Sequence, residues 1–388
     1  MEVQRFSSIH DIPEGLWDSL ADGDPPYQSH RLLRAVEDAG VEDGHFWYLV
    51  FRDGERWVAT AALSAFTVSL DLFLPKGFQK LVARARRAFP RCLRIDVLFC
   101  GLPASFGQSH LCLAEDALAR PVLARLAEEM ATLGREEGLR YLCVKEFKAR
   151  ELPAVEPLEE LGFFRGHSLP YMAMEIRWRS FDEYLASLRH PYRRQIRRSL
   201  AKMGMTRPEI RPYSPRRLAD SRPHLVLGGP ESLSPGRFYT LYRNVMARAE
   251  TRLEFLNPAF FERLWVELGP DLQILTAVVE SEVLGAALLV KSGETLSFML
   301  VGLPEAQETP HDVYFNLVSA LLDQAIRQGC RRLNLGQTAY WVKQRIGGEP
   351  EDEFLFFKAA SPTLHFLLRA LRGVLFPRPL LKSPRVFK

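Results

Sequence analysis

The sequence predicts a mixed α/β fold (an α+β mixed sheet) laid out as two tandem units, each a twisted sheet flanked by helices. Three observations predict it. A strand pair, a long helix, a glycine and short strands follow one another in the first half of the 388 residues, and the same order recurs in the second. Both long helices lead through a glycine into an apolar strand, the return leg of a crossover into a mixed sheet. The composition, 47% hydrophobic and 25% charged with no low-complexity tract, is that of a globular chain long enough for roughly two to three domains.

In the first half, FWYLVFRDGERWVATAAL (46–63) reads as two strands joined at Asp53-Gly54, a hairpin signal. A helix is expected over 117–137. EEGLRYLCV (136–144) then passes through Gly138, placed for a left-handed helix end, into a strand. LPYMAMEIRW (169–178), after Gly162-Phe163, reads as the strand that closes this half.

The second half repeats the plan. LQILTAVVESEVLGAALLVKSGETLSFMLVG (272–302) gives strands with turns at Glu280-Ser281 and Ser292-Gly293. A helix over 311–328 follows, with Thr309 suited to cap it and Pro310 to its first turn. RQGCRRLNL (327–335) turns at Gly329 into a strand, and EFLFFKA (353–359) closes the half. Ser180-Phe-Asp-Glu183 forms a capping box at the join. Beyond it Pro191 breaks the helix, and Arg193/Arg197 and Arg194/Arg198 line one face of its continuation. The expected units are 1–179, 180–363 and a basic amphipathic tail, 364–388.

Together these pieces resemble the GNAT superfamily of N-acyltransferases, in the tandem-domain form of the Fem-type aminoacyl transferases. The resemblance rests on FDEYLASLRHPYRRQIRRSL (181–200), RFYTLYRNVMARAETRLEFLNPAFFERLW (237–265), LEELGFFRGHSLPYMAMEI (158–176) and DVYFNLVSALLDQAIRQGCRRLNLGQTAYWVKQRIGG (312–348). It implies two GNAT-like domains in which central parallel strands splay apart to admit an acyl donor. Gly336, Gln337 and Thr338, just past the strand Leu333–Leu335, would border that gap in the second half. Thr338 also suits the N-cap of a helix over 339–346.

GNAT enzymes hold a pyrophosphate on a glycine-rich basic loop at the N-terminus of the long helix, where N–H groups and the helix dipole favour anions. GLPEAQETPHD (302–312) is acidic there, and Glu115 and Asp116 stand at the other helix start. Donor contacts then fall to Lys343 and Arg345, or to Arg194 and Arg198 on the arginine face, which reads equally as a solvated or inter-domain surface. Acyl transfer to an amine also needs an acid and a base; the candidates are Glu146, Tyr314, Tyr340 and Asp96.

Other chemistry finds no motif. GQSHL (107–111) falls short of a nucleophile elbow, GLPASFGQS (101–109) lacks P-loop spacing, and nine histidines show no metal-ligand spacing. Five scattered cysteines favour reduced thiols and a cytosolic compartment, and the N-terminus lacks a signal peptide's apolar core. A net charge of +4 does not point to a DNA binder. The tail places Leu364, Leu367, Leu368, Leu371 and Leu375 on one helical face with His365, Arg369 and Arg372 on another. That pattern suits an anionic membrane surface or a docked terminal helix.

The expected function is transfer of an acyl or aminoacyl group from an activated thioester or ester to an amine acceptor. The co-substrate is acyl-CoA or an acyl-carrier protein, with no tightly bound cofactor. The alternatives are an aminoacyl-tRNA-dependent Fem-type transferase and a non-catalytic protein that binds an acylated ligand. The expected location is cytoplasmic, with a peripheral place at the inner face of the membrane.

Overall fold

The computed structural model describes residues 1–21, 26–69, 81, 82, 84–89, 91–104, 106–114, 117–218, 222–249, 255–305, 311–379, 381 and 384–388. Glu115, Asp116, Thr309 and Pro310 lie outside them. Among the described residues the chain forms two eight-stranded mixed sheets.

The first sheet runs β1 (Glu2–Phe6), β2 (His45–Asp53), β3 (Arg56–Ser69), β4 (Arg94–Cys100), β6 (Tyr141–Lys148), β16 (Glu353–Ala359) and β7 (Phe164–His167), with β5 (Leu111–Leu113) beside β3. The second runs β15 (Glu349–Glu351), β8 (Tyr171–Glu175), β14 (Arg332–Gly336), β13 (Thr295–Gly302), β12 (Glu282–Ser292), β11 (Leu272–Val279), β10 (His224–Gly228) and β9 (Ile210–Pro212). β4 pairs in parallel with β6, and β13 with β14. The helices Ala119–Glu136 and Val313–Arg327 make the two crossovers. Gly138 and Gly329 follow them at φ +70° and +68°, the left-handed turn that returns each helix to its sheet. This is the mixed α/β fold with two GNAT-like units.

The closing strands do not stay in their own halves. β8 pairs with β14 and β15 in the second sheet, while β16 lies between β6 and β7 in the first. The assignment of 169–178 and 353–359 to their own halves is thereby corrected, and sheet membership crosses the chain division at 179/180. The physical reason is that local pattern identifies a strand but not its neighbour. The exchange is structural glue. Phe356 is buried in the first-half core with Phe51, Leu126 and Met130, and Met172 and Met174 in the second-half core with Leu321 and Leu333.

A third core joins the halves through Leu33 and Val36 of the helix His30–Asp38 and Phe260, Phe261 and Trp265 of the helix Pro258–Leu268. Arg34 pairs with Glu267, and Arg31 reaches Asp271 at 2.7 Å. At the join Ser180 accepts from the Glu183 backbone at 3.1 Å while Glu183 accepts from Arg179 N at 2.8 Å.

The tail also differs from a single amphipathic helix. It forms Pro362–Ala370 and Arg372–Leu375, separated at Leu371. His365, expected on the polar face, packs at 5.5 Å from the Phe164 ring. The chain end then docks on the second half, with Val386 buried and the Lys388 N–H donating to Ser187 O at 3.0 Å. No helix among the described residues is long and apolar enough to cross a membrane.

Candidate functional site

β13 and β14 register only at Thr295↔Arg332, Leu296↔Leu333 and Ser297↔Asn334. Beyond Ser297 the strands part. β13 continues to Gly302 and bulges at Met299, where its register with β12 jumps from Leu289↔Phe298 to Leu288↔Leu300. A bulge adds a residue and bends its strand, which turns β13 away from β14. The gap opens into a cavity of about 290 Å³. Its walls are Phe298 to Val301 of β13, Leu335 to Ala339 after β14, and Tyr242, Val245 and Met246 of the helix Pro235–Arg248. Tyr27, Phe106 and Tyr171 close it from the first half, with Tyr27 and Phe106 stacked at 5.0 Å.

The turn 336–339 is held in an uncommon backbone state. Gly336, Thr338 and Ala339 have φ of +72°, +59° and +48°. Thr338 therefore does not cap the next helix: Ala339 is the cap residue, with no side-chain bond, and the helix spans Tyr340–Arg345. What holds the turn is Lys343. Its ammonium donates to Gly336 O at 3.1 Å and Gln337 O at 2.6 Å, and lies 5.9 Å from the Phe298 ring. Lys343 is only 3% exposed, and burial drops its pKa from 10.5 to about 7. An ammonium carries three hydrogens and no acceptor. Among the described residues two carbonyls take two of them, and Lys343 lines the cavity where an incoming carbonyl oxygen would supply a third acceptor.

Beneath the turn lies a buried carboxyl. Gln337 Nε2 donates to Glu353 Oε2 at 2.7 Å and to Leu169 O at 3.0 Å. Glu353 is fully buried at the start of the exchanged strand β16. Burial, reinforced by the charge of Glu146, pushes its pKa well above the carboxylate range, against smaller opposing effects of Lys148 and Gln337. Glu146 is buried on a bulge of β6, where the register with β16 skips between Phe354 and Phe356, and its φ is +70°. Lys145 pairs with it at 3.1 Å. Non-glycine residues in this region cost about 1–3 kcal/mol and cluster at functional sites. The first-half bulge and the second-half turn thus meet at one buried carboxyl pair.

The sequence candidates separate into groups. Gly336, Gln337, Thr338, Lys343 and Tyr314 line the cavity. Tyr314 is pushed upward by burial, its ring 6.5 Å from Phe298. Tyr340 donates to Pro170 O at 3.1 Å, and burial raises it to about 12. Glu146 does not line the cavity; its charge acts on Glu353 from the bulge of β6. Arg345 is not a partner of Lys343; it bonds Gln195 at 2.7 Å and stacks over Trp341 at 4.2 Å. Arg194 and Arg198 are exposed on the helix His190–Ala201 and do not line the cavity. Asp96 accepts from Thr67 Oγ1 at 2.6 Å and lines a different, 600 Å³ hollow with Trp47 and Glu137. Sequence reasoning missed Glu353 and the aromatic wall. Glu353 carried one signal: it is the acid that opens the strand, just ahead of the apolar run Phe354–Phe357.

With this geometry in hand, likenesses to known proteins fall into place. The family described as FemAB-like, peptidoglycan biosynthesis/recognition, matches residues 8–364. Two strains of Mycobacterium tuberculosis carry a putative 8-amino-7-oxononanoate synthase 2 that is 26% identical over 368 residues, covering 88% of this chain. The chain spans 42% of those longer relatives. Among solved structures, FemX superposes with a TM-score of 0.57 at 12% identity, covering 95% of this chain and 100% of FemX. The C-terminal domain of a putative lysylphosphatidylglycerol synthetase from Agrobacterium fabrum gives 0.52 at 10% identity, over 95% of this chain and 97% of that one. A tandem GNAT protein of the clavulanic acid biosynthesis pathway gives 0.51 at 14%, over 93% and 99%. At such identities the superpositions speak for the fold.

Proposed function

Because this chain belongs to the FemAB-like family, we propose that it is a Fem-type transferase, moving an acyl or aminoacyl group from an activated ester or thioester to an amine in the β13–β14 cavity. The observation that carries this reading is the cavity itself, opened by parted parallel strands and bordered by a buried ammonium that spends two of its three N–H groups on the turn. As the amine attacks, the donor carbonyl oxygen gains negative charge, and Lys343 donates its remaining N–H to it; collapse breaks the donor's C–O or C–S bond, and the departing alkoxide or thiolate takes up the proton that the amine loses. The aromatic wall excludes water, which strengthens that interaction and guards the activated donor against hydrolysis. The turn 336–339 positions the donor, and Glu353, whose ionisation burial disfavours, fixes Gln337 from below.

One observation favours an ester donor over acyl-CoA. Asp312 stands at the N-terminus of the helix Val313–Arg327, where its carboxylate makes no bond to the helix and accepts from Ser199 Oγ at 2.9 Å and Lys202 Nζ at 2.7 Å. A carboxylate so placed repels a pyrophosphate. The exposed arginines Arg194 and Arg198 leave a basic stripe for a phosphodiester-bearing donor such as aminoacyl-tRNA. The test is incubation with aminoacyl-tRNA, acyl-CoA and acyl-carrier-protein donors and a panel of amines, read by mass spectrometry. Product from aminoacyl-tRNA supports the reading. Product from acyl-CoA alone overturns the donor choice, and binding without product from any donor supports a ligand-binding protein.

A further inference from the structure

The two terminal helices, Pro362–Ala370 and Arg372–Leu375, are held at both ends. They leave directly from β16 in the first sheet. Phe376, just after them, packs against Phe164, Phe357 and Gly166, so closely that a Cβ on Gly166 would stand 2.8 Å from its side chain. Farther on, Arg189 N–H donates to Val386 O at 2.9 Å, and Phe387 lies 5.3 Å from Trp178. Such anchoring fixes which side of the helices faces outward.

That outward side is apolar. Phe366 is 74% exposed, Val374 79%, Leu367 52%, Leu371 44% and Leu375 40%. Arg369 and Arg372 are exposed among them. Residues 364–388 carry six Lys/Arg and no acid. Single exposed apolar residues are ordinary, but a run of large ones on two adjoining helices marks an interaction surface.

We propose that this face docks on an anionic lipid bilayer, its apolar side chains entering the headgroup boundary while Arg369 and Arg372 meet acidic headgroups. Charge decides the occupant. A second copy docking about a two-fold axis would bring the arginines of one face against those of the other, whereas acidic lipid neutralises them and the acyl region takes the side chains. The helices are too short to cross the bilayer, so the mode is interfacial. This proposal does not depend on the transferase reading.

The experiment is co-sedimentation of the full chain with vesicles of phosphatidylcholine alone or mixed with phosphatidylglycerol. Binding should need phosphatidylglycerol and weaken with salt, because surface attraction is screened. The pair Phe366→Ser/Val374→Ser, and separately Arg369→Glu/Arg372→Glu, should each weaken binding on the order of tenfold or more. All four positions are exposed, so far-ultraviolet dichroism and melting should be unchanged. Absence of wild-type binding in low salt overturns the proposal, as does equal binding by the variants. A wild-type dimer in light scattering that Phe366→Ser/Val374→Ser dissociates, without lipid binding, also overturns it in favour of self-association.

Discussion

Lys343→Met removes the buried charge while keeping most of the side-chain volume, and its effect has a pH signature that packing cannot imitate. In the native state the lysine titrates near 7 instead of 10.5, because burial disfavours the ammonium. Between those values the unfolded chain binds a proton that the folded one does not, so wild-type stability rises with pH across that window. At 1.36 kcal/mol per pH unit the full effect is about 5 kcal/mol. The stability of wild type relative to Lys343→Met should therefore climb by about 4 kcal/mol from pH 6 to pH 10. Bonds lost in the variant displace this curve without tilting it. Urea titrations at intervals from pH 6 to 10, followed by tryptophan fluorescence, measure the slope. Parallel curves for the two proteins would refute the buried-ammonium account. In turnover, kcat/KM should fall as pH rises through about 7 in wild type, and Lys343→Met should lose that limb together with most of its rate.

Three further substitutions test the surroundings. Glu353→Gln keeps an acceptor for Gln337 and cannot ionise. Since the native carboxyl titrates well above its unfolded value, wild type should lose stability relative to this variant as pH rises from about 4.5, which urea titrations at pH 4 and 8 would show. Gly107→Ala would drive a Cβ into the Tyr171 ring at φ +69°, so thermal melting should report a loss of at least about 1–3 kcal/mol. Gly336→Val should cost about 1–3 kcal/mol for its left-handed φ of +72° and also raise KM for the donor, because the new side chain enters the cavity. Steady-state kinetics separates the two effects, and an unchanged KM would place the donor elsewhere.

The strands around the two long helices were legible because their signals are local: Asp53-Gly54 between β2 and β3, glycines after both long helices, and a capping box at the join; the shorter or edge strands β1, β4, β5, β7, β9, β10 and β15 were not read. The exchange of β8 and β16 was not, since nothing in YMAME or EFLFFKA names a neighbouring strand. The border of the cavity was readable at Gly336-Gln337-Thr338, where an apolar strand ends in polar and small residues. The state of Lys343 was harder to read. Tyr340, Lys343 and Ile346 recur at i, i+3 and i+6, so the lysine shares a face with two residues that pack on the second-half core. Its basic neighbour Arg345 suggested a paired surface site instead. Asp96 lies apart from the cavity for a related reason: its sequence context does not say which hollow of the molecule its strand borders. The tail was legible in composition and misread in orientation. Its break at Leu371 puts Leu364 and His365 inward and leaves Phe366 and Val374 outside.

The central claim is that transfer takes place between β13 and β14. Met246 reaches the cavity from the helix Pro235–Arg248, away from Lys343 and the turn it holds. Met246→Trp would crowd the roughly 290 Å³ space with an indole while leaving every hydrogen bond of the site in place. The deciding measurement is single-turnover product formation, by mass spectrometry, for wild type and Met246→Trp with the donor that the panel identifies. The account predicts product from wild type and at least a tenfold slower reaction from a variant that melts at the wild-type temperature. Undiminished turnover by Met246→Trp, with loss instead in Glu146→Gln, would contradict it and move the chemistry to the first half.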